Sequence, residues 1–196
     1  MSYKIAIPSH DRYNTIQSKT LSLLERHNIE KDNIYIFVSP YSYDEYLPLK
    51  DLGYNLIKGG KTILEQRNCI IHYFYRKTKI VEMDDDIDDI MHTLKGEPNR
   101  SVSDLDSLFT ECFELIEPKG LWGFNADTNS YFADGKDKYG LYSIINSCCG
   151  YINDKTIELT LKEKEDFERT LIHYEKGNKV LKRCGYGILT RYWKNK

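Results

Sequence analysis

The chain has no pair of cysteines at CxxC spacing: its five, Cys69, Cys112, Cys148, Cys149 and Cys184, are an odd number scattered along 196 residues. That speaks against a disulfide framework and against a zinc site, and it predicts a reducing compartment. No apolar run is long enough to cross a bilayer, and Met1 leads into a strand-like run without the charged lead and long apolar stretch of an export signal. The expectation is a cytoplasmic protein that does not engage the membrane. A surplus of one charge is missing as well: the formal net charge of -2 gives no global attraction to polyanions. The local exception runs from Lys176 to Lys196, with seven Lys or Arg and no acid. It reads either as an anion-facing strip or as a solvated basic end. There is no internal repeat and no low-complexity segment.

What is present is the composition of a globular protein, 40% apolar and 30% charged, at a length suited to one domain with its own core. The 16 tyrosines fit an aromatic binding surface and fit compositional bias equally well.

Hydrophobic patterning alternates strand and helix. Lys4-Ile5-Ala6-Ile7-Pro8 is a buried strand opening into the polar loop Ser9-His10-Asp11-Arg12. Ile16, Leu23 and Leu24 share a helical face in a segment ending near His27, and Ile34-Tyr35-Ile36-Phe37-Val38 is the second strand. A third strand, Tyr54 to Ile57, stops at Gly59-Gly60; Ile63, Ile70, Ile71 and Phe74 then mark a helix to about Tyr75. The fourth strand, Lys79-Ile80-Val81-Glu82-Met83, runs into Asp84-Asp85-Asp86. Such a pattern predicts an α/β fold with a mainly parallel sheet flanked by helices, whose ligands collect at the carboxyl ends of the strands. Both polar clusters fall there.

After residue 95 the pattern loosens. Gly96 to Ser103 reads as a loop, Leu105 to Ile116 as a helix, and Gly120 to Gly150 as an irregular region with short strands, including a tight turn at Cys148-Cys149-Gly150. Thr160 and Glu163 form a capping box for a late helix with Phe167, Leu171 and Tyr174 as its inner face, ended by Gly177. The expected organisation is a single domain, 1–196, with a nucleotide-binding half to residue 95 and an acceptor-side half with a smaller mixed sheet.

Five aspartates between Asp84 and Asp89 crowd like charges, which raises their pKa values unless a cation relieves them. Hard oxygen ligands on alternate residues suit Mg2+ or Mn2+, with phosphate oxygens and water filling the other positions. The competing reading is an acidic first turn of a helix, in which Asp88 and Asp89 meet the helix dipole.

The segment Met83-Asp84-Asp85-Asp86-Ile87 after a buried strand resembles the DXD motif of the GT-A (Rossmann-like) glycosyltransferases. More narrowly, the chain is similar to the TET-associated glycosyltransferases of phages and related viruses. The matching stretches are Ile7 to Arg12, Lys19-Thr20-Leu21, Ile34 to Val38, Gln66-Arg67-Asn68, the DXD segment and Glu165-Asp166-Phe167-Glu168. This resemblance implies a metal-dependent transfer of a sugar from a nucleotide diphosphate sugar, a UDP-sugar, to an acceptor hydroxyl, with inversion. It implies that Pro8, Ser9, Arg12, Gln66 and Arg67 hold the nucleotide and its phosphates. Asp86 ligates the Mn2+ or Mg2+ together with Asp84, which also contacts ribose or sugar, and Asp85 supports both. The base is placed on Asp166, with Glu165 as its neighbour. Read without the resemblance, Lys162-Glu163-Lys164-Glu165 is a solvated helix start and Arg67 a helix-surface residue. A late metal-binding His is missing: nothing after His173 is a histidine, and His173 itself reads as a helix-surface residue.

On the acceptor side, Trp122, Phe124 and Asn125 sit in a stretch able to stack on a sugar or a flipped base, and equally able to be core. Cys149 and Gly150 are placed near the sugar; no His is paired with the thiols to make them nucleophiles. Members of the narrower family are associated with hydroxymethylated pyrimidines in DNA, for which Lys182, Arg183, Arg191, Lys194 and Lys196 would meet phosphates. The alternatives are a glycan acceptor and a nucleotide-sugar-binding module without turnover. A sugar-nucleotide pyrophosphorylase would need a glycine-rich loop after the first strand, and Ser9-His10-Asp11-Arg12 has no glycine.

Overall fold

The structure is a computed structural model that describes residues 3–190. In chain order its elements are β1 (Lys4–Ser9), α1 (Tyr13–Ile16), a wide π-type segment Gln17–Leu21, α2 (Ser22–Arg26), β2 (Ile34–Val38), α3 (Leu47–Asp51), β3 (Asn55–Lys58), α4 (Ile63–Tyr73) and β4 (Lys79–Met83). There follow β5 (Asp89–His92), β6 (Arg100–Ser101), α5 (Leu105–Ile116), β7 (Gly120–Asn125), β8 (Lys138–Tyr139), β9 (Cys148–Ile152), α6 (Glu165–Glu175) and β10 (Lys179–Leu189).

The first half forms as its patterning predicts. The apolar runs of β1, β2 and β4 are covered on both faces, and β3, β2, β1 and β4 lie side by side, all parallel. Because side chains alternate, Ile5, Ile7, Val81 and Met83 enter the core under α5 with Phe109 and Phe113, whereas Ala6, Phe37 and Ile80 face Ile70 and Ile71 of α4 and Phe74 just after it. The chain leaves β1 toward β2 and β3 and returns to the other side of β1 as β4. That reversal opens a crevice at the carboxyl ends of β1 and β4.

The second half continues the same sheet, in the order β4-β9-β7-β10-β5-β6, with β8 also on β10. The result is an α/β structure around one mixed sheet, parallel in its first half. Gly120 to Gly150 is therefore less irregular than its composition indicates: β7 and β9 are central strands, and Cys148-Cys149-Gly150 is extended strand beside β4 rather than a tight turn. Asp88 and Asp89 lead into a strand, so the acidic run is not the first turn of a helix. Among the described residues no helix is long and apolar enough to cross a membrane, and the cysteines are free.

The late helix forms but turns over relative to expectation. Arg169, Thr170 and His173 of α6 are buried, whereas Phe167, Leu171 and Tyr174 are about half exposed. His173, expected on the surface, is 1% exposed. The reason is electrostatic: Glu82 in the middle of β4 is fully buried and takes the Arg169 guanidinium inward, and the rest of the helix follows. Glu168, not Glu163, answers Thr160, accepting from its amide and hydroxyl at 2.9 and 2.6 Å.

Candidate active site

The loop after β1 is built by side chains that tie it to the aspartates. Ser9 Oγ donates to Asp85 Oδ2 at 2.6 Å and sits 2.7 Å from the buried Tyr46 hydroxyl, which also accepts from the Arg12 amide at 2.9 Å. Arg12 Nη1 then reaches Asp85 Oδ1 at 3.0 Å and Asp86 Oδ2 at 3.2 Å. From the other side Thr20 clamps the acidic turn: its hydroxyl donates to the Asp84 carbonyl at 2.7 Å and accepts from the Ile87 amide at 3.0 Å. Lys19 Nζ pairs with Asp88 at 3.2 Å. Thr20 and Lys19 lie in the π-type segment, a local widening of the kind found at functional sites. The stretch Lys19-Thr20-Leu21 carried no role from the sequence; its Lys19 and Thr20 side chains hold the aspartate turn.

These groups line a cleft of about 430 Å³, the size of a small-ligand site, among them Pro8, Ser9, Arg12, Gln66, Arg67, Asp84, Asp85 and Asp86. Eight positions read from the sequence thus come together. His10, from the polar loop already singled out, lines it too, with Ile63 of the helix face and with Lys61 and Thr62, for which the sequence offered no sign. Gln66 is held by its amide, which donates to the Ser9 carbonyl at 3.0 Å.

Arg67 is neither a surface residue nor a free phosphate contact. It is 4% exposed, its Nη1 is bonded to Glu82, its Nη2 reaches Asp84 Oδ1 at 3.3 Å, and its Nε donates to Glu165 Oε1 at 3.1 Å. The Glu165 carboxylate at the start of α6 is thereby joined to Asp84 through one guanidinium. Asp166 does not line the cleft; its Oδ1 accepts from the Phe167 amide at 2.8 Å. Glu82 and Arg169 were missed from sequence. The available signal was a lone acid inside an otherwise apolar strand.

Burial raises the Asp84 carboxyl to about 6, against the opposing pull of Arg67. Burial also raises Asp85, resisted by its hydrogen bond from Ser9 and by Arg12. In the cleft lining three carboxylates (Asp84, Asp85, Asp86) face three cations (Arg12, Lys61, Arg67). Hard oxygen donors clustered at a strand terminus are the donor set that fits a Mg2+ or Mn2+ ion. Among the described residues no group of three or more His, Cys, Asp or Glu side chains is arranged to hold a metal alone, so Asp84 and Asp86 would share the ion with a diphosphate.

The expected acceptor residues are placed differently. Trp122 and Phe124 are fully buried; Trp122 stacks on Phe109 at 5.6 Å and meets Phe113 edge-on at 5.7 Å, so both rings are core, not stacking platforms. Gly150 is needed beneath that indole, since a Cβ there would lie 2.3 Å from it. Cys149 is buried and its thiol is pushed up to about 12, first by burial, which leaves it inert. Asn125 ends β7 on the same sheet edge as Asp84, and its amide donates to the Cys184 carbonyl at 2.9 Å. Arg183 is 6% exposed and paired with Asp137 and Glu111, so it is not available to a phosphate chain. Arg191, Lys194 and Lys196 lie outside the described residues.

Comparison with solved structures decides the architecture. S. aureus TarS 1-349 in complex with UDP-GlcNAc superposes with a TM-score of 0.62 at 14% identity, covering 99% of this chain and 60% of that one. The mannosyltransferase PcManGT from Pyrobaculum calidifontis, in complex with GDP-Man and Mn2+, matches with a TM-score of 0.58 at 11% identity over 91% of this chain and 53% of that one.

The chain has the GT-A fold of nucleotide-sugar transferases.

It spans about 60% of the length of the TarS 1-349 chains it matches. The GT-A core is shared more widely: a CMP:2-keto-3-deoxy-manno-octonic acid synthetase complexed with CTP matches with a TM-score of 0.53 at 9% identity, covering 93% of this chain and 89% of that one. No protein-family model and no curated protein sequence matches the chain.

Proposed function

We propose that this protein is a metal-dependent, inverting glycosyltransferase that moves a sugar from a nucleotide diphosphate sugar, most simply a UDP-sugar, to an acceptor hydroxyl. The carrying observation is the cleft at the β1/β4 reversal, where Arg12 pairs with Asp85 and Asp86 and Arg67 joins Asp84 to the Glu165 carboxylate. Asp86 and Asp84 would hold the Mn2+ or Mg2+. The bound ion would neutralise charge growing on the departing diphosphate. Arg12, half exposed, moves from Asp86 to a phosphate oxygen when the diphosphate arrives. A carboxylate at the start of α6, assigned to Asp166 beside Glu165, takes the acceptor proton as that oxygen attacks the anomeric carbon and the bond to the diphosphate breaks. Most of the rate gain comes from holding donor and acceptor in line.

For the acceptor we favour the 5-hydroxymethylpyrimidine of phage or viral DNA, supported by the sequence stretches shared with the TET-associated enzymes; a glycan is the second acceptor. The fold is equally that of nucleotidyl-transferring synthetases, but the glycine-free Ser9-His10-Asp11-Arg12 loop argues for sugar transfer.

The test is a panel of nucleotide sugars with Mn2+, run with hydroxymethylcytosine DNA, with a glycan and with neither, followed by mass measurement of the products. Asp86→Ala should abolish turnover without changing the unfolding midpoint, and full activity in EDTA would remove the metal from the reaction. A binding module without turnover would bind UDP and Mn2+ jointly, yield no product, and be indifferent to Asp166→Asn.

A further inference from the structure

A densely bonded group sits outside the cleft lining. Glu82 is fully buried, and its carboxylate accepts four hydrogen bonds from three elements: from Arg67 Nη1 of α4 and Arg169 Nη2 of α6 (3.3 Å) at Oε1, and from Arg169 Nη1 (3.1 Å) and the Tyr151 hydroxyl of β9 (2.9 Å) at Oε2. Four is the full capacity of a carboxylate. Burial alone would push Glu82 up, but the two guanidiniums outweigh it and hold its pKa below the ordinary value, so it stays charged.

We propose that Glu82 is a positioning residue that sets the spacing between the two reactive ends of the site, by anchoring Arg67 between Asp84 and Glu165 and by drawing α6 inward through Arg169. The inference rests on the glycosyltransferase reading only in naming those ends as the diphosphate side and the start of α6, where Glu165 neighbours the assigned base Asp166. The geometry behind it is independent of that reading. Arg67 spends one nitrogen on each of Glu82, Asp84 and Glu165, so its plane is defined by all three. Of these, Glu82 alone is wholly sealed from water, while the Asp84 side chain is 26% exposed and that of Glu165 14%. Without the buried anchor, Arg67 would be free to swing toward the cleft and pair with the aspartates there, and Glu165 would lose its partner.

The decisive variant is Glu82→Gln, which keeps the shape but replaces one accepting oxygen with an NH2 group that confronts two donors. The 15N-labelled protein should show an exchange-protected Arg67 Nε–H signal, assigned by its absence in Arg67→Lys. Glu82→Gln should melt cooperatively, lose that protection, and drop kcat for the donor tenfold or more, with KM for the donor within threefold. In a Glu165→Gln background, Glu82→Gln should add little to the loss, because both act through Arg67. A folded Glu82→Gln that keeps the protected signal and the parent kcat overturns the proposal, as does a loss of kcat and donor affinity in parallel with melting temperature. If Glu82→Gln does not fold, Glu82→Asp keeps the charge but shortens the reach; an intact Arg67 signal and unchanged kcat there are equally fatal. A parent protein that turns over no nucleotide sugar overturns the functional reading instead, and the Arg67 signal alone then decides the role of Glu82.

Discussion

Two clusters of Arg and acid, one on β4 and one in the turn just after it, sit a few residues apart and behave as opposites. At the cleft, Arg12 bridges Asp85 and Asp86 with its side chain 52% exposed; behind it, Arg67 and Arg169 grip Glu82 with side chains 5% and 1% exposed. Only the Arg12 end of the first cluster is in water, while Asp85 and Asp86 are buried, so Arg12 can leave once a diphosphate and a cation offer better partners and the cation takes over the neutralisation of the acids. The sealed cluster cannot exchange partners: removing one member strands a charge in the interior. The difference separates two tasks in one stretch of chain, a mobile charge where the ligand binds and a fixed charge where the helix bearing Glu165 and Asp166 is held.

Breaking the sealed half should have the largest effect. Arg169→Met leaves Glu82 with fewer donors and should cost about 3–5 kcal/mol, read from urea unfolding. A loss below about 1 kcal/mol would mean that the cluster is not a single unit.

His173 sharpens the same point through pH. Burial, with the nearby Arg169 charge, lowers its pKa to about 3. Between the unfolded value near 6.5 and the folded value, the unfolded chain takes up a proton that the folded protein refuses, so stability falls as pH drops through that window and is unaffected above it. Relative to His173→Gln, the parent should therefore lose about 2 kcal/mol between pH 7 and pH 5. Parallel pH profiles of the two proteins would place the ring in water.

The exposed half should respond in binding rather than stability. Arg12→Gln should let Mn2+ alone bind roughly tenfold tighter, because Asp86 Oδ2 is released, and should weaken UDP binding in the presence of Mn2+ by a similar factor, about 1.4 kcal/mol each way. Calorimetry separates the two signs. If both affinities fall together, Arg12 is a scaffold residue like Arg67.

The contrast also explains what could be read in advance. Ser9 to Arg12 and Asp84 to Asp86 are legible because each follows a buried strand, and strands of that kind end at the crevice of a parallel sheet whatever the rest of the chain does. Trp122 and Phe124 were ambiguous because an aromatic beside glycine packs a core or stacks a ligand with the same local pattern; only the neighbours Phe109 and Phe113, brought by α5, settle it. The inner face of α6 was misread because its apolar spacing at Phe167, Leu171 and Tyr174 is a good amphipathic stripe, overridden by a charge 87 positions earlier in the chain.

By itself, then, the sequence determined the alternating strands and helices of the first half, the carboxyl-end placement of both polar clusters and the oxygen chemistry of the aspartates. These follow from local periodicity and from the charges of adjacent residues. Only the tertiary structure decided which arginines face the ligand and which face Glu82, which side of α6 is buried, and that the strands of the second half complete the same sheet. The first two depend on where the buried Glu82 charge finds its partners and the third on strand pairing between distant segments, and neither is set by spacing along the chain.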